Sequence, residues 1–355
     1  MSTAMVCLTR RALLALALPA PALCAAADAA VAPALTRPAL AARRAEGAVL
    51  LAAAMADRRI VAVGERGLVL ASDDDGQTWR QQPTPVSVTL TAVRFADAKN
   101  GAAVGHGGIV LVTADAGARW RVVLDGRRAA QVALDAARTS GDAARVGSAE
   151  RLAAEGADKP FLDVLMPDAT TLVVVGAYGL AFASSDGGRS WAAWLDRFDN
   201  PKALHLYALR QRGDAWLAVG EQGLMLRSTD GGNSFQRLPS PYKGSFFVAE
   251  LMSEQDIVVA GLRGNVWRSG DAGGSWTQVA APMPASITAS VLTPDGALLL
   301  ANQAGFVMKL AADRLEPMHK DALPPINGLV LGGGRRLTAL TVMGARPLPW
   351  AATAG

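Results

Sequence analysis

The residues best equipped for chemistry recur in one octet. Ser72, Asp74, Gly76 and Trp79 stand in SDDDGQTW, and the same types return as Thr113, Asp115, Gly117 and Trp120, then as Ser184, Asp186, Gly188 and Trp191. Two further copies hold Ser228, Asp230, Gly232 and Phe235, and Ser269, Asp271, Gly273 and Trp276. A carboxylate beside a hydroxyl and a glycine has three readings: a calcium loop, a catalytic acid or base, or a turn that satisfies its own backbone. The copies begin 41, 71, 44 and 41 residues apart, and self-similarity at such a period marks a propeller or solenoid. The octet is therefore read as a fold staple. Its aspartate accepts from N–H groups of its own turn, its glycine supplies dihedrals other residues avoid, and its aromatic packs between repeats.

Other constellations are thin. His106, His205 and His319 are scattered without paired ligand spacing, so no metal and no other cofactor is expected. His205, in LHLYAL, is expected to be packed or hydrogen-bonded in a strand. The glycine run LGGGRRL at 331–337 lacks the Lys-Ser/Thr ending and the following helix of a phosphate loop, and reads as a hairpin turn. Both cysteines, Cys7 and Cys24, fall in residues 1–27, where Arg10 and Arg11 precede a short apolar run and small residues. That order is a secretory signal, cut near Ala27, which implies a periplasmic protein. Export by the Sec route is expected, with the twin-arginine route as the alternative. The mature chain then has no thiol for a nucleophile, a metal or a disulfide. Its formal charge drops from +4 to +2 with Arg10 and Arg11 removed, which gives no case for nucleic acid. No later stretch carries the ~20 unbroken apolar residues of a membrane helix.

The elements that position the octets can be read around them. VAVGERGLVLAS, AAVGHGGIVLVT, VVVGAYGLAFAS, LAVGEQGLMLRS and VVAGLRGNVWRS each precede one copy. Each is a β-rich run, a Gly-x-x-Gly turn and a second apolar run, which is a hairpin pattern. A further run such as LTAVRFAD lies upstream, and the octet's aromatic opens a fourth strand. Four antiparallel strands every ~40 residues make a propeller blade. A sixth blade keeps its strands and the turn NQAG but loses the octet, and a seventh supplies two or three strands from INGLVLGGGRRLTALTVMGARPL. The fold class is all-β, a seven-bladed propeller over residues 45–350, with six or eight blades as alternatives. The N-terminal segment 28–44 is a candidate for the missing strand of the last blade.

The long spacing of 71 leaves residues 126–159 between blades 2 and 3, alanine-rich and split at Ser140–Gly141. Two short helices are predicted, capped by Asp125 and Asp142 and stopped by Gly141 and Gly156, with Val146, Ala149 and Ala153 as a thin apolar stripe. They are either a solvated hairpin or a docking element. Alternation of strand direction puts the Gly-x-x-Gly turns on one face with the blade-to-blade connections. Glu65, Arg66, His106, Tyr178, Glu221, Gln222 and Arg263 form the candidate partner surface there, with the insertion beside them.

With these residues in hand, the chain resembles the photosystem II stability/assembly factor-like propellers among the BNR (Asp-box) repeat proteins. VGERGLVLASDDDGQTW carries that resemblance, which covers about residues 45–345. The insertion followed by ADKPFLDVLM, then VVVGAYGLAFASSDGGRSW and NPKALHLYAL, resembles a narrower bacterial subgroup. The resemblance implies a non-enzymatic scaffold or assembly factor for a membrane complex, and for the subgroup a resistance-nodulation-division (RND, MMPL-type) transporter as partner. Two other functions compete. Asp-box sialidases would require an arginine triad and a tyrosine nucleophile. The chain lacks the Arg-Ile-Pro-type segment of such enzymes, and its tyrosines are Tyr178, Tyr207 and Tyr242. The third function is binding of a small ligand in the central channel.

Overall fold

Alternating apolar residues hide one face of a strand ribbon only when a second ribbon covers it, and here each ribbon is covered by its neighbours in a ring. The computed structural model describes residues 33–333 and 336–348. The signal segment and both cysteines lie outside the described residues. Six four-stranded antiparallel sheets and one three-stranded sheet follow each other along the chain, at 50–82, 90–124, 161–193, 206–237, 246–279, 287–317 and 326–348. The expected seven-bladed propeller is the observed one. Within each blade the strands pair in sequence order. The first strands adjoin one another around the ring, and that of blade 7 adjoins that of blade 1.

Every first strand carries the same irregularity, a one-residue register shift near its start, as at Leu90/Ala92, Leu206/Ala208 and Ile326/Gly328. A bulge re-aims one side chain, and at Thr91, Tyr207, Thr288 and Asn327 that residue reaches the next blade. Thr91 Oγ1 donates to the Phe161 carbonyl at 2.7 Å, Thr288 Oγ1 to that of Ile326 at 2.6 Å, and Asn327 Nδ2 to that of Leu50 at 2.9 Å. The last of these joins blade 7 to blade 1. Where the bulge residue is Tyr207, its ring meets Phe247 of the next blade edge-on at 5.2 Å.

The apolar core is divided among the seams between blades. Trp120 of blade 2 packs with Val61 and Val63 of blade 1, and Phe235 of blade 4 packs with Val173 and Val175 of blade 3. Leu340 of blade 7 is buried with Leu50, Ala62 and Leu70 of blade 1. Outer strands are short, two residues at Ala192–Ala193 and at Gln236–Arg237, which limits the exposed edge available for mispairing.

The last blade departs from expectation. Residues 33–40 do not add a strand to it. They run along the connection between blades 1 and 2, with Ser87 N–H donating to the Ala34 carbonyl and Ala39 N–H to that of Thr84. Leu35 covers Gly107, where a β-carbon would come within 2.7 Å of it. Only at Ala45–Gly47 does this segment approach blade 7, where the Glu46 carbonyl crowds Gly344. A backbone contact at Glu46, rather than a ladder, is what this stretch gives the last blade.

The insertion forms the two helices predicted, α1 (Gly126–Ser140) and α2 (Ala143–Glu155). Asp125 accepts from Arg128 N–H, Asp142 accepts from Ala144 and Arg145 N–H, and Gly141 ends α1 in the left-handed region at φ 71°. It is not a solvated hairpin. Ala129 and Ala133 of α1 are buried in the seam of blades 2 and 3, and Leu152 of α2 packs against it. The contact between helices uses Leu134, Ala137, Val146 and Ala149. Ala153 is exposed, because the narrow stripe turns toward Leu152 instead.

Trp276 belongs to the seam of blades 4 and 5, beside Leu217 and Val259. Trp276→Ala is expected to cost about 2–4 kcal/mol, toward the lower part of the range for buried aromatic truncation because the ring is half-buried. Thermal denaturation of the two proteins measures it, and an unchanged melting temperature would remove the seam-packing account of the octet.

Candidate functional site

The octets lie on the turn between third and fourth strands, and their geometry is local. Ser72 Oγ donates to Asp74 Oδ1 at 2.8 Å and accepts Gly76 N–H at 2.8 Å. Asp74 then accepts from Thr78 N–H at 2.8 Å and Thr78 Oγ1 at 2.6 Å, and Trp79 Nε1 donates to the Gly76 carbonyl at 3.1 Å. Gly76 has φ 80°, a value that favours glycine. Asp186, Asp230 and Asp271 repeat the carboxylate contacts with Ser190, Ser234 and Ser275. Asp115 has only backbone for this, accepting from Arg119 N–H at 2.9 Å. Each of these five aspartates is committed to its own turn. Among the described residues, no cluster of three or more His, Cys, Asp or Glu is arranged to hold a metal.

These bonds stabilise the charged carboxylates. The Thr78 hydroxyl and amide hold Asp74 at about 2, and the Ser275 hydroxyl and amide, with the Ser269 hydroxyl, do the same for Asp271 at about 2. The Ser190 hydroxyl lowers Asp186, and the Ser228 hydroxyl lowers Asp230.

The opposite face is assembled by one repeated bond. The first amide of each Gly-x-x-Gly turn donates to the carbonyl just before its own blade's first strand: Glu65 to Val49, His106 to Thr89, Ala177 to Pro160, Glu221 to His205, and Leu262 to Ser245. Gln303 and Val342 do the same in blades 6 and 7, to Ser286 and Pro325. Turns and connections therefore share a face, as strand alternation predicts. Arg66, Tyr178, Gln222 and Arg263 each have φ between 53° and 57° and precede a glycine with positive φ. This is the type I′ geometry that suits the twist of the strands. The same conformation aims four non-glycine side chains outward, all of them exposed.

Of the candidate partner residues, Tyr178 and Glu221 are brought together. His205 Nδ1 accepts Tyr178 N–H at 3.0 Å, and His205 N–H donates to Glu221 Oε2 at 3.2 Å. His205 is hydrogen-bonded, as expected, but from the connection before the strand that begins at Leu206. Glu65, Arg66, His106, Gln222 and Arg263 occupy the turns of their own blades. Three exposed apolar residues on this face were missed in the sequence: Leu262, Val342 and Met343. The turn alignment that found Tyr178 also marks Leu262. It marks Val342 and Met343 only once TVMG is aligned with the Gly-x-x-Gly turns.

The insertion borders His106–Gly108 and Tyr178. Between its helices and blade 3 runs a groove of about 750 Å³ with a floor that includes Ala133, Ala137, Leu180, Leu195 and Ala203. Arg145 of α2 bonds Asp196 at 2.6 Å and ties the hairpin to the connection after blade 3. Lys159, paired with Glu155 at 2.7 Å and with Asp158, lies over the Tyr178 ring at 5.3 Å. The Asp158 and Glu155 carboxylates raise its pKa.

The central channel holds a charge network the sequence did not suggest, because its members come from four blades. Asp163 accepts from Arg210 at 2.6 Å and from Leu209 N–H at 3.0 Å, and lies 3.4 Å from Arg94. Glu250 accepts from Ser290 and lies 3.6 Å from Arg210. Burial pushes the Asp163 carboxyl up, but Arg94 and Arg210 with the Leu209 amide pull it down further, so it stays charged. Tyr207, also in the channel wall, is shifted up by burial and by the Glu221 charge. That shift is opposite to what a tyrosine nucleophile needs.

Comparison with known proteins fits this geometry. The family model described as Photosynthesis system II assembly factor YCF48 matches residues 148–310. A solved structure of YCF48 bound to D1 peptide aligns with a TM-score of 0.64 at 15% identity, over 87% of this chain and 97% of that one. YCF48 from Cyanidioschyzon merolae aligns at 0.61 and 14% identity, over 84% and 94%. The WD40 propeller domain of Doa1 aligns at 0.65 with 8% identity, over 90% and 97%. At these identities the structures speak for the fold. No curated protein matches the chain.

Two outcomes follow from these sites. The octet carboxylates have folded pKa values below the unfolded range near ~4. Their stabilisation is therefore fully present above about pH 4 and is lost as pH falls through about 2. Melting temperature against pH should fall across that window, and less steeply in Asp271→Asn. Asp163→Ala leaves two partly buried arginines without their shared, buried carboxylate and is expected to cost about 3 kcal/mol, the lower end for breaking a buried pair, read by chemical denaturation.

Proposed function

We propose that this β-propeller, which matches the assembly-factor family model over residues 148–310, is a photosystem II assembly factor-like protein and acts as a non-enzymatic scaffold or accessory factor for a membrane protein complex. The observation that carries this is the one-sided turn face. Outward side chains are fixed there by type I′ turns in blades 1, 3, 4 and 5, beside a helical groove, whereas the octet aspartates of the other face are consumed by their own turns. The matched family is described by an assembly role, and a similar structure holds a D1 peptide. A peptide or loop of a membrane protein is thus the kind of partner this face would take.

The finer reading is an RND-type transporter as partner and the periplasm as location. The first rests on the sequence resemblance around the insertion, the second on the signal in residues 1–27. Among the described residues no helix is long and apolar enough to cross a membrane. The sialidase alternative is disfavoured by the channel, where Arg94 and Arg210 are already engaged by carboxylates and Tyr207 is held protonated.

Deleting the insertion is a poor test, since α1 is part of the seam between blades 2 and 3. Tyr178→Gly combined with Met343→Ser keeps the turn conformations and removes two exposed contacts. Immobilised mature protein is expected to retain an integral membrane transporter from detergent-solubilised envelope, identified by mass spectrometry. The double variant should lose at least about tenfold of it, the equivalent of one hot-spot contact, at unchanged melting temperature. Equal retention by both proteins would move the docking site off this face.

A further inference from the structure

We propose that His205 is a pH-sensitive lock on the docking face: the neutral ring holds the Tyr178 turn in place, and the protonated ring releases it and pairs with Glu221. The consequence for partner binding rests on the docking reading above, whereas the lock itself does not.

The hydrogen bonds fix the protonation state. Tyr178 N–H donates to His205 Nδ1 at 3.0 Å. A backbone N–H cannot accept, so Nδ1 must present a lone pair, and the ring proton sits on Nε2. The same Nδ1 lies 3.6 Å from Glu221 Oε2, and that oxygen is already tethered by His205 N–H. The ring thus stands between a donor that requires it neutral and a carboxylate that favours it charged. A proton on Nδ1 would face the Tyr178 N–H head-on, while the carboxylate is a small rotation away.

The turn has reason to move once released. Tyr178 sits at φ 57°, ψ 31°, a conformation that a β-carbon disfavours. Its ring packs edge-on against His205 at 4.9 Å and is 54% exposed. Other groups bearing on the histidine are Glu221 from the blade 4 turn, the edge-on Tyr207 ring at 6.1 Å, and Lys159 beyond the Tyr178 ring. Lys159 is itself matched by Glu155 and Asp158. Histidine is the side chain whose ordinary charge change falls between about pH 5 and 8.

Only the backbone half of this arrangement recurs, with no carboxylate beside the ring among the described residues. In blade 6, His319 Nε2 accepts Val307 N–H at 2.9 Å while Nδ1 faces the Asp321 carbonyl at 2.8 Å. That ring is again held neutral by a backbone donor next to the blade's second turn. Two of the chain's three histidines therefore spend a lone pair on the backbone.

Amide hydrogen exchange of the mature protein, read by NMR at about pH 8 and about pH 5 and expressed as protection relative to an unstructured chain, tests the lock directly. Protection at the Tyr178 amide is expected to fall about fivefold or more on acidification, the equivalent of one hydrogen bond, with Val174 in the blade 3 core unchanged. His205→Gln supplies a carbonyl acceptor at any pH and should abolish the change, and Glu221→Gln, which removes the alternative partner, should diminish it. Equal Tyr178 protection at both pH values in the wild type, or the same fall in His205→Gln, would overturn the proposal. In the membrane capture experiment, the wild type should lose its partner at the lower pH and His205→Gln should keep it. Loss of partner at both pH values in both proteins would count against docking, and the exchange result would still decide the lock.

Discussion

Each blade is a ribbon with two apolar faces and no means of covering either alone, so the structure depends on closing the ring. Closure falls to the seam between blades 7 and 1. There Asn327 donates to the Leu50 carbonyl and Leu340 is buried with Leu50, Ala62 and Leu70. No outer strand crosses that seam among the described residues, where blade 7 is three-stranded. The hydrophobic effect is proportional to apolar area removed from water. Side-chain burial along the first strands, aided by bulge residues that reach across, therefore replaces a shared ladder.

That constraint sorts the two faces. On one, octet turns satisfy their own polar groups and leave little unspent. On the other, the first amide of every second-strand turn is bonded to a connection, which anchors the turn to the ring while its outermost side chain points to water. Anchoring the backbone of a binding surface before association limits the entropy lost on association. The insertion belongs to both descriptions. α1 contributes to a seam, and α2 with Lys159 frames a groove beside Tyr178, so folding and recognition are coupled there.

The channel shows a different use of polar groups. Asp163 bridges arginines from the two neighbouring blades, and Glu250 extends the chain to blade 5. Buried pairs are weak as sources of net stability and strong as penalties when broken. The network therefore acts chiefly against alternative placements of blades 2 to 5, where a slipped blade would strand a charge.

The sequence by itself determined the repeat. Five octets and the glycine turns before them fix five blades and their strand order, because each signal is local and recurs every 41 to 44 residues, and the one break in that period, at 126–159, marks two capped helices. It also placed Tyr178 and Glu221 on one face by strand alternation alone. Only the tertiary structure decided that His205 joins those two residues. Only it showed that Asp163 meets Arg94 and Arg210, and that residues 33–40 run beside blades 1 and 2 instead of completing blade 7. These contacts link positions 16 to 69 residues apart that share no period. A side chain's partner across a seam is set by ring closure and by bulges that re-aim it, and neither leaves a mark in local composition.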